Sequence, residues 1–351
     1  MSICSNLSTL VSRFEHKKKF MIFINSNLKI ATFGSTHEKE VGVLIEGMPI
    51  NFNVDMDSVQ DMLDRRRPGS SELVSKRSEA DIPQITSGLE KANGKNENEN
   101  ENIYQTTGDM IRAVFANSDV KDAANDHDYV PRPGHGDFTY FMNTGKFEKG
   151  ATSARSTVGI VFAGAICKQL LAERGIFVNA KLLSPSEKEI KAAMSEGDSL
   201  GGLVECSIIG LPAGFGNPLA EKIESKIGSC VFNIPGVRGL EFGAGFDCLK
   251  YKGSEFNDSF VVDENKKVRL ATNNCGGLLG GMATGSPVVF RACFKPTASI
   301  SKEQESINLM TLESVKLKVE SRNDPCIAVR GAVVIEAAAA IAIADIILGK
   351  Y

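Results

Sequence analysis

Apolar runs separated by short polar turns organise the first part of the chain. Residues 28–33 (LKIATF) and 41–45 (VGVLI) are short and apolar, which predicts two strands joined by a Gly-Ser-Thr-His turn. Residues 57–67 have an acidic start and a basic end, an arrangement that complements a helix dipole. We therefore expect a helix there, ended by Pro68 and Gly69.

The middle of the chain continues the alternation of helices and strands. Residues 156–174 have the small, apolar composition of a packed helix, and a strand is expected to begin at 175–178 (GIFV). Residues 203–210 predict another strand, and a helix is expected near 219–229. No glycine fingerprint of the GxGxxG type follows a strand, so a dinucleotide-binding Rossmann domain is not supported. The pattern predicts a mixed α/β fold.

The segment 333–350 (VVIEAAAAIAIADIILGK) is strongly apolar. Glu336 and Asp345 interrupt it, and the uncharged stretch between them is too short to span a bilayer. This pattern predicts a buried core helix, and no membrane association is expected.

Two segments are expected to lie outside the packed core. Residues 91–102 (KANGKNENENEN) are polar and of low complexity, which predicts an exposed mobile insert. Residues 1–20 lack the apolar core of a secretory signal, and their basic, Ser-containing character is compatible with a weak transit-like segment. Met21 is an alternative start, so we expect an N-terminal extension over 1–20 and one domain over 21–351.

Composition narrows the classes of function. The chain has 351 residues, 42% of them hydrophobic, which is ample for a large core. Its formal net charge of -3 provides no overall basic field for nucleic acid or an anionic membrane. The eight cysteines form no CxxC pair or zinc-type spacing, so we expect reduced thiols in a cytoplasmic protein without a metal site.

The richest candidate chemistry lies in residues 128–155. This segment contains Arg132, His135, Asp137 and Arg155 among glycines and small hydroxyl residues. Arginine offers a planar fork of donors to carboxylate or phosphate, and histidine changes charge near neutral pH. An anionic ligand would suit this mixture. The alternative is a surface loop with solvated arginines.

Further polar, glycine-rich segments accompany it, and their order along the chain is informative. They read TFGSTH, DRRRPG, RPGHGDFTY, TSAR, DSLGG, GLEFGAGF, NNCGGLLGG, KPTASI and RNDPCIAVR. In this order they resemble the chorismate synthase family, from about residue 27 to the C-terminus. The resemblance implies a single large α+β domain, a β-α-β sandwich, assembled as a homotetramer.

The resemblance also implies an activity. Members of the family convert 5-enolpyruvylshikimate 3-phosphate to chorismate and phosphate by an anti 1,4-elimination, the last step of the shikimate pathway in aromatic amino-acid biosynthesis. They require reduced FMN without net redox change. NADP is the nucleotide associated with reduction of the flavin, and an external flavin reductase is a candidate partner. No nicotinamide-binding fingerprint is visible in this chain.

Site residues follow from the matching motif positions. His37 is expected to protonate the reduced flavin, His135 to act as an acid near the leaving phosphate, and Asp324 to help flavin N5 accept the substrate proton. The substrate carries two carboxylates and a phosphate, which arginines can hold. The expected substrate contacts are Arg66, Arg132 and Arg155. The expected FMN contacts are Thr152, Ser153, Pro235, Gly236, Gly280, Lys295, Pro296, Thr297, Ala298, Ser299 and Arg322, the last also a candidate for the substrate.

Five positions depart from the family's usual motifs. Glu38 replaces a glycine, Glu72 and Ala151 replace arginines, Ser156 replaces a glutamate and Asn323 replaces a histidine. Such a cluster would also fit a non-catalytic paralogue that binds flavin or a phosphate ligand. A third interpretation is an unrelated α/β sugar-phosphate enzyme with convergent Arg, His and Gly loops. Retention of His37, His135 and Asp324 favours an active enzyme.

Overall fold

The computed structural model describes residues 27–69, 71–75, 79–92, 102–118, 129–148, 150, 152–319 and 324–349, and the backbone of 20–24. The strands are β1 Phe20–Ile24, β2 Lys29–Gly34, β3 Glu40–Glu46, β4 Asn53–Asp55, β5 Gln84–Ser87, β6 Leu89–Lys91, β7 Ile103–Thr106, β8 Ile111–Ala116, β9 Phe177–Ser184, β10 Gly202–Ile209, β11 Val237–Phe242, β12 Phe260–Val262, β13 Val268–Leu270, β14 Leu278–Leu279, β15 Met282–Ala283, β16 Val288–Phe294, β17 Gln304–Ile307 and β18 Ser314–Leu317. The α-helices are α1 Met56–Arg66, α2 Asp137–Thr144, α3 Thr157–Ala172, α4 Glu187–Ser195, α5 Ile223–Phe232, α6 Gly253–Phe256 and α7 Ala328–Leu348.

The first sheet has the strand order β1-β2-β3-β8-β5, and all its pairs are antiparallel. The two strands predicted near residues 28–33 and 41–45 are confirmed as β2 and β3. Both are continuous apolar runs because both faces of this part of the sheet are covered. Ile30 and Val43 face the main core, whereas Phe33 and Leu44 belong to a small cluster on the other face.

Two helices form the middle layer. Helix α3 packs on β2 and β3, and helix α7 packs on β9, β10 and β16 of a second antiparallel sheet, of order β11-β16-β10-β9. Gly159 lets α3 approach the first sheet, because a Cβ there would lie 2.9 Å from side-chain atoms of Thr32 and Val43. Gly164 lets α3 approach α7, because a Cβ there would overlap Ala337. The order sheet, helices, sheet confirms the α+β class and the β-α-β sandwich.

The charged residues of α7 are paired inside the core. Glu336 accepts hydrogen bonds from Arg65, from Lys168 and from the backbone N–H of Ala180. Buried carboxylates require such partners, since an isolated charge would be costly to desolvate. Burial and these bonds act oppositely on the pKa of Glu336, and the net effect lowers it.

Asp345 plays the same part at the far end of α7. Its carboxylate accepts from the backbone N–H groups of Asn27 and Leu28 and from Lys226. Helix α7 is long and apolar enough to cross a membrane, yet 94% of its apolar window is buried inside the protein. It is the core helix expected from the sequence.

Three boundaries differ from expectation or fall outside the described residues. Helix α5 begins at Ile223 rather than near 219, because the N–H groups of Leu219 and Ala220 bond to the side chain of Asn217 in a turn. Strand β1 was not anticipated, and it begins inside the expected extension; residues 1–19 lie outside the described ranges. The polar insert connects the paired strands β6 and β7, and residues 93–101 of it also lie outside those ranges.

Candidate active site

A cavity of about 340 Å³ lies where the ends of several elements meet. Its wall comes from the β2–β3 loop, the end of α1, the segments that precede α2 and α3, the loop after β16 and the start of α7. The lining residues are Thr36, His37, Arg66, Pro68, Ser75, Glu79, Arg132, His135, Gly150, Thr152, Ser153, Ala154, Arg155, Pro235, Gly236, Lys295, Pro296, Thr297, Ala298, Ser299, Asp324, Ile327 and Arg330. Every sequence-predicted site residue that the structure describes is among them except Gly280.

The end of α1 explains why one of three consecutive arginines reaches the cavity. Successive residues on a helix point about 100° apart, so Arg65, Arg66 and Arg67 face different surroundings. Arg65 pairs with Glu336 of α7, and Arg67 pairs with Asp64 at the surface. Arg66 is buried, with only 3% of its side chain exposed, and lines the cavity.

Arg66 and Arg155 share one buried carboxylate. Asp81 accepts a short hydrogen bond from each guanidinium, through Oδ2 from Arg66 and Oδ1 from Arg155. Arg66 Nε also donates to Thr157 Oγ1 at 3.1 Å. Burial lowers the pKa of Arg66 to about 10, with Asp81 opposing this effect. Sequence analysis missed Asp81, since it lies in a segment without periodicity or a recognised motif.

Arg132, His135 and Asp137 form a second group at the start of α2. Asp137 accepts from Arg132 Nε at 2.7 Å and from Arg132 Nη2 at 2.8 Å, and His135 Nδ1 lies 2.7 Å from Asp137 Oδ1. Burial would raise the pKa of Asp137, but the bonds from Arg132 and His135 hold it well below the usual range. Arg132 Nη2 also lies 3.1 Å from Nδ1, so the carboxylate and the guanidinium both contact this nitrogen, and Nε2 is the second polar atom of the ring. Arg132 also donates to Ser299.

His37 lies on the loop between β2 and β3. Asn117 ties this loop to Arg155, because its Nδ2 donates to the carbonyl groups of Ser35 and Glu38 while its Oδ1 accepts from Arg155 Nε at 2.8 Å. A Cβ at Gly150 would lie 2.9 Å from His37 Nε2, so glycine there allows the ring to sit against the segment before α3. Asn117 is another residue that no sequence motif indicated.

Asp324 lies in the segment just before α7 and joins three parts of the wall. Its Oδ1 accepts from the backbone N–H of Ser75 at 2.7 Å, and its Oδ2 lies 3.2 Å from Arg330. Thr297 Oγ1 donates to the Asp324 carbonyl at 2.7 Å. Arg330 lines the cavity, and within the described residues its Nε is buried without a hydrogen-bond partner. Its place in the RNDPCIAVR motif was visible in the sequence, but its role in the wall was not singled out.

The loop after β16 supplies the remaining polar wall. Lys295 Nζ donates to the Gly134 carbonyl at 2.6 Å; burial, together with the positive charge of Arg238, lowers the pKa of this lysine. Gly236 has φ +91°, and a Cβ there would lie 2.5 Å from Ile327, so the turn before β11 requires glycine.

The remaining predicted contacts and the departures lie elsewhere. Gly280 lies in the turn between β14 and β15 and does not line the cavity, and Arg322 is outside the described residues. Glu38, Glu72 and Ser156 do not line the cavity either, and the Glu72 side chain is 87% exposed and lies 3.3 Å from Lys191. Ala151 and Asn323 are outside the described residues.

The site combines cations with candidate proton donors. Arg66, Arg132, Arg155, Lys295 and Arg330 line the cavity beside two imidazoles, against the carboxylates Glu79 and Asp324. Within the described part of the chain, no group of three His, Cys, Asp or Glu side chains is placed to hold a metal ion. The arrangement can bind a polyanionic ligand and exchange protons with it.

Fold and site together define an α+β protein with a cationic cavity suited to acid-base chemistry on an anionic substrate. Comparison with known proteins identifies the family: the chain matches chorismate synthase over residues 28–188 and 177–348. The chain belongs to the chorismate synthase family. Members of this family are lyases, and so is this protein.

Individual relatives agree with this assignment. The chorismate synthase of Methanosarcina barkeri is 37% identical over 353 residues, covering 90% of this chain and 93% of the relative. Those of Korarchaeum cryptofilum and Lachnoclostridium phytofermentans are 36% and 35% identical, over 92% of this chain and 96% and 94% of the relatives. A crystal structure of chorismate synthase, 22% identical, shares the fold with a TM-score of 0.70 over 93% of both chains.

Proposed function

We propose that this protein converts 5-enolpyruvylshikimate 3-phosphate to chorismate and phosphate, with reduced FMN bound beside the substrate. The observation that carries the proposal is that motif residues distant in sequence, from His37 to Asp324, line one cation-rich cavity. In the reaction a C–H bond and the C–O bond to phosphate break and a C=C bond forms. The proton and the phosphate leave, and the substrate undergoes no net oxidation.

The arginines are proposed to hold the substrate. Arg66, Arg132 and Arg155 each donate to a buried or half-buried acceptor on one side, which fixes the guanidinium plane before ligand arrives. Preorganised donors stabilise charge that develops on a leaving phosphate without further rearrangement. The entropy cost of ordering these arginine side chains is therefore incurred on folding rather than on binding.

The donor set also fits FMN. Thr36 Oγ1 and Arg330 Nε are buried polar atoms without a partner among the described residues, and such atoms in a cavity wall suit a polar ligand. Lys295, Thr297 and Ser299, together with Thr152 and Ser153, are proposed to hold the cofactor. Bound reduced FMN supplies the electron-rich partner that the elimination needs.

Three side chains are proposed to handle protons. His37 would donate a proton toward the reduced cofactor, and His135, as an imidazolium with a proton on each nitrogen, would present Nε2–H as an acid near the departing phosphate. Asp324, fixed by Ser75 and Arg330, would assist removal of the substrate proton beside the bound flavin. A homotetramer, a cytoplasmic location and a separate, NADP-linked flavin reductase are also proposed, from the family resemblance.

The decisive assay measures phosphate release and chorismate formation from 5-enolpyruvylshikimate 3-phosphate under anaerobic conditions. We expect turnover with chemically reduced FMN and none with oxidised FMN, because only the reduced cofactor is electron-rich. Both products should appear in equal amounts. Binding of FMN without phosphate release in either state would contradict the proposal and favour the non-catalytic alternative.

A further inference from the structure

The two most deeply buried arginines of the cavity are held by one carboxylate that does not itself line the cavity. Asp81 has a side chain with no solvent exposure, and its two oxygens each bond a different guanidinium, Arg66 and Arg155. Oδ1 and Oδ2 of one carboxylate are separated by a fixed distance. The shared contact therefore sets the spacing and relative orientation of the two guanidinium groups.

The backbone at Asp81 is adapted to this contact. Asp81 has φ 51°, in the left-handed region that few residues other than Gly, Asn and Asp adopt readily. Aspartate tolerates this conformation, so the backbone can turn here without a glycine. Here the turn places the carboxylate against both guanidinium groups, behind the residues that line the cavity, since Asp81 is not one of them.

Each of the two arginines also donates hydrogen bonds to acceptors other than Asp81. Arg66 Nε donates to Thr157 Oγ1, whereas Arg155 Nε donates to Asn117 Oδ1 and Arg155 Nη2 to the carbonyl of Ala116 at 3.3 Å. Glu79 lies 3.9 Å from Arg155 Nη2. Its Oε2 accepts closer hydrogen bonds from the backbone N–H and the hydroxyl of Ser118. Glu79 is therefore the weaker neighbour, and Asp81 is the shared anchor.

Asp81 is also needed to bring the cations together. Burial disfavours the protonated form of Arg66 most strongly; Asp81 opposes this effect, and the nearby charges of Arg330 and Arg155 disfavour the protonated form further. Without a counter-charge, three arginines around one cavity would repel each other and move apart. Asp81 behind the pair, with Asp324 beside Arg330, offsets this repulsion, and because Asp81 does not line the cavity it leaves space there for an anion.

We propose that Asp81 is a positioning residue for anion binding: it holds Arg66 and Arg155 at a fixed spacing so that one phosphate or carboxylate group of the ligand meets both. The inference rests on the proposed function for the identity of the ligand. The placement of the two guanidinium groups stands independently of that identity.

The test is Asp81→Asn, with kcat and KM for 5-enolpyruvylshikimate 3-phosphate measured at saturating reduced FMN. Asparagine keeps the shape and tolerates the left-handed backbone, but it removes the charge and turns an NH2 group toward one arginine. We expect KM to rise about tenfold or more, while the Kd for FMN stays within about twofold of wild type. A purely structural role would reduce the active fraction, and hence apparent kcat, without changing KM.

Asp345→Asn is the matched control, because Asp345 is an equally buried, ion-paired carboxylate remote from the cavity. It should lower thermal stability and leave KM unchanged. Asp81→Glu retains the charge but displaces it by one methylene, so an intermediate KM is expected. If Asp81→Asn yields no folded protein, Asp81→Glu decides: a KM raised threefold or more supports the positioning role, and a wild-type KM overturns it.

Inorganic phosphate separates failure of this inference from failure of the proposed function. Phosphate should raise the thermal midpoint of the wild type and of Asp345→Asn, but not that of Asp81→Asn. If wild type fails to turn over the substrate while phosphate binding still depends on Asp81, the function is wrong and the positioning role stands. If wild type turns over and Asp81→Asn has wild-type KM and phosphate response, the positioning role is wrong.

Discussion

At the scale of single residues, the cavity is built by pairing every deeply buried charge. Asp81 pairs with two arginines, and Asp137 pairs with Arg132 and with His135. Removal of one partner from such a pair leaves an uncompensated charge, so these contacts are strict in geometry. The same rule explains why Arg65 turns to Glu336 rather than to the cavity.

The two imidazoles of the cavity give a direct prediction for catalysis. His37→Ala and His135→Ala should each lower turnover tenfold or more, because positioned acids contribute roughly two to four powers of ten. The measurement is steady-state chorismate formation with reduced FMN, at substrate concentrations that separate kcat from KM.

Glutamine at the same positions is the control for packing. His37→Gln and His135→Gln keep a polar side chain of similar reach but cannot titrate, so they should be as impaired as the alanine variants. Wild-type turnover in both alanine variants would show that neither imidazole acts as an acid.

At the scale of elements, the contact between α3 and α7 holds the middle layer together. A Cβ at Gly164 would overlap Ala337 and lie 2.8 Å from the Ala337 carbonyl oxygen. The two helices can therefore approach only while this position carries no side chain. Because residues on the N-terminal sides of both helices line the cavity, separation of the helices would also move the site.

Gly164→Ala should destabilise the protein by about 2 kcal/mol, since overpacking typically costs about 1–3 kcal/mol and exceeds the gain in helix propensity of at most about 1 kcal/mol. Chemical denaturation measures the change. Gly228→Ala in α5 is the matched control, because its Cβ would meet only Leu240 at an ordinary 3.6 Å. The control should gain about 0.5–1 kcal/mol. Equal changes in the two variants would contradict the close helix contact.

The elements were predictable where one local signal dominated. Helix α1 could be predicted from its acidic start and basic end, and Asp55 caps it by accepting from the N–H groups of Asp57 and Ser58. Strands β2 and β3 could be predicted from their apolar runs. The start of α5 was predicted four residues early because the N–H groups of Leu219 and Ala220 donate to Asn217 Oδ1, a competing contact that depends on turn geometry. Strand β1 was missed. Among the described residues it is recognised by its antiparallel pairing with β2.

At the scale of the whole molecule, the residues that line the cavity could be predicted from the order of motifs. The residues that hold the arginines from behind could not. Motif residues such as His135 and Lys295 could be carried over position by position. Asp81 and Asn117 could not, because their function depends on which arginine lies opposite them after folding. Tertiary contacts of this kind leave no periodicity in the sequence.

The charge of the molecule is distributed unevenly. The whole chain has a formal net charge of -3, yet among the described residues five cationic side chains and two carboxylates line the cavity. The attraction for an anionic ligand is therefore local. Salt shortens the range of such fields, from about 10 Å at 0.1 M to about 3 Å at 1 M ionic strength.

Raising KCl from 0.1 M to 1 M should therefore increase KM for the polyanionic substrate several-fold and change kcat by less than about twofold, because chemistry follows once the ligand is enclosed. Potassium acetate at the same ionic strength is the control. Equal effects of the two salts indicate screening, whereas a larger effect of one indicates competition by that anion. A KM independent of both salts would mean that Asp81, Asp137, Glu79 and Asp324 already neutralise the cavity, and that direct hydrogen bonds rather than its field select the substrate.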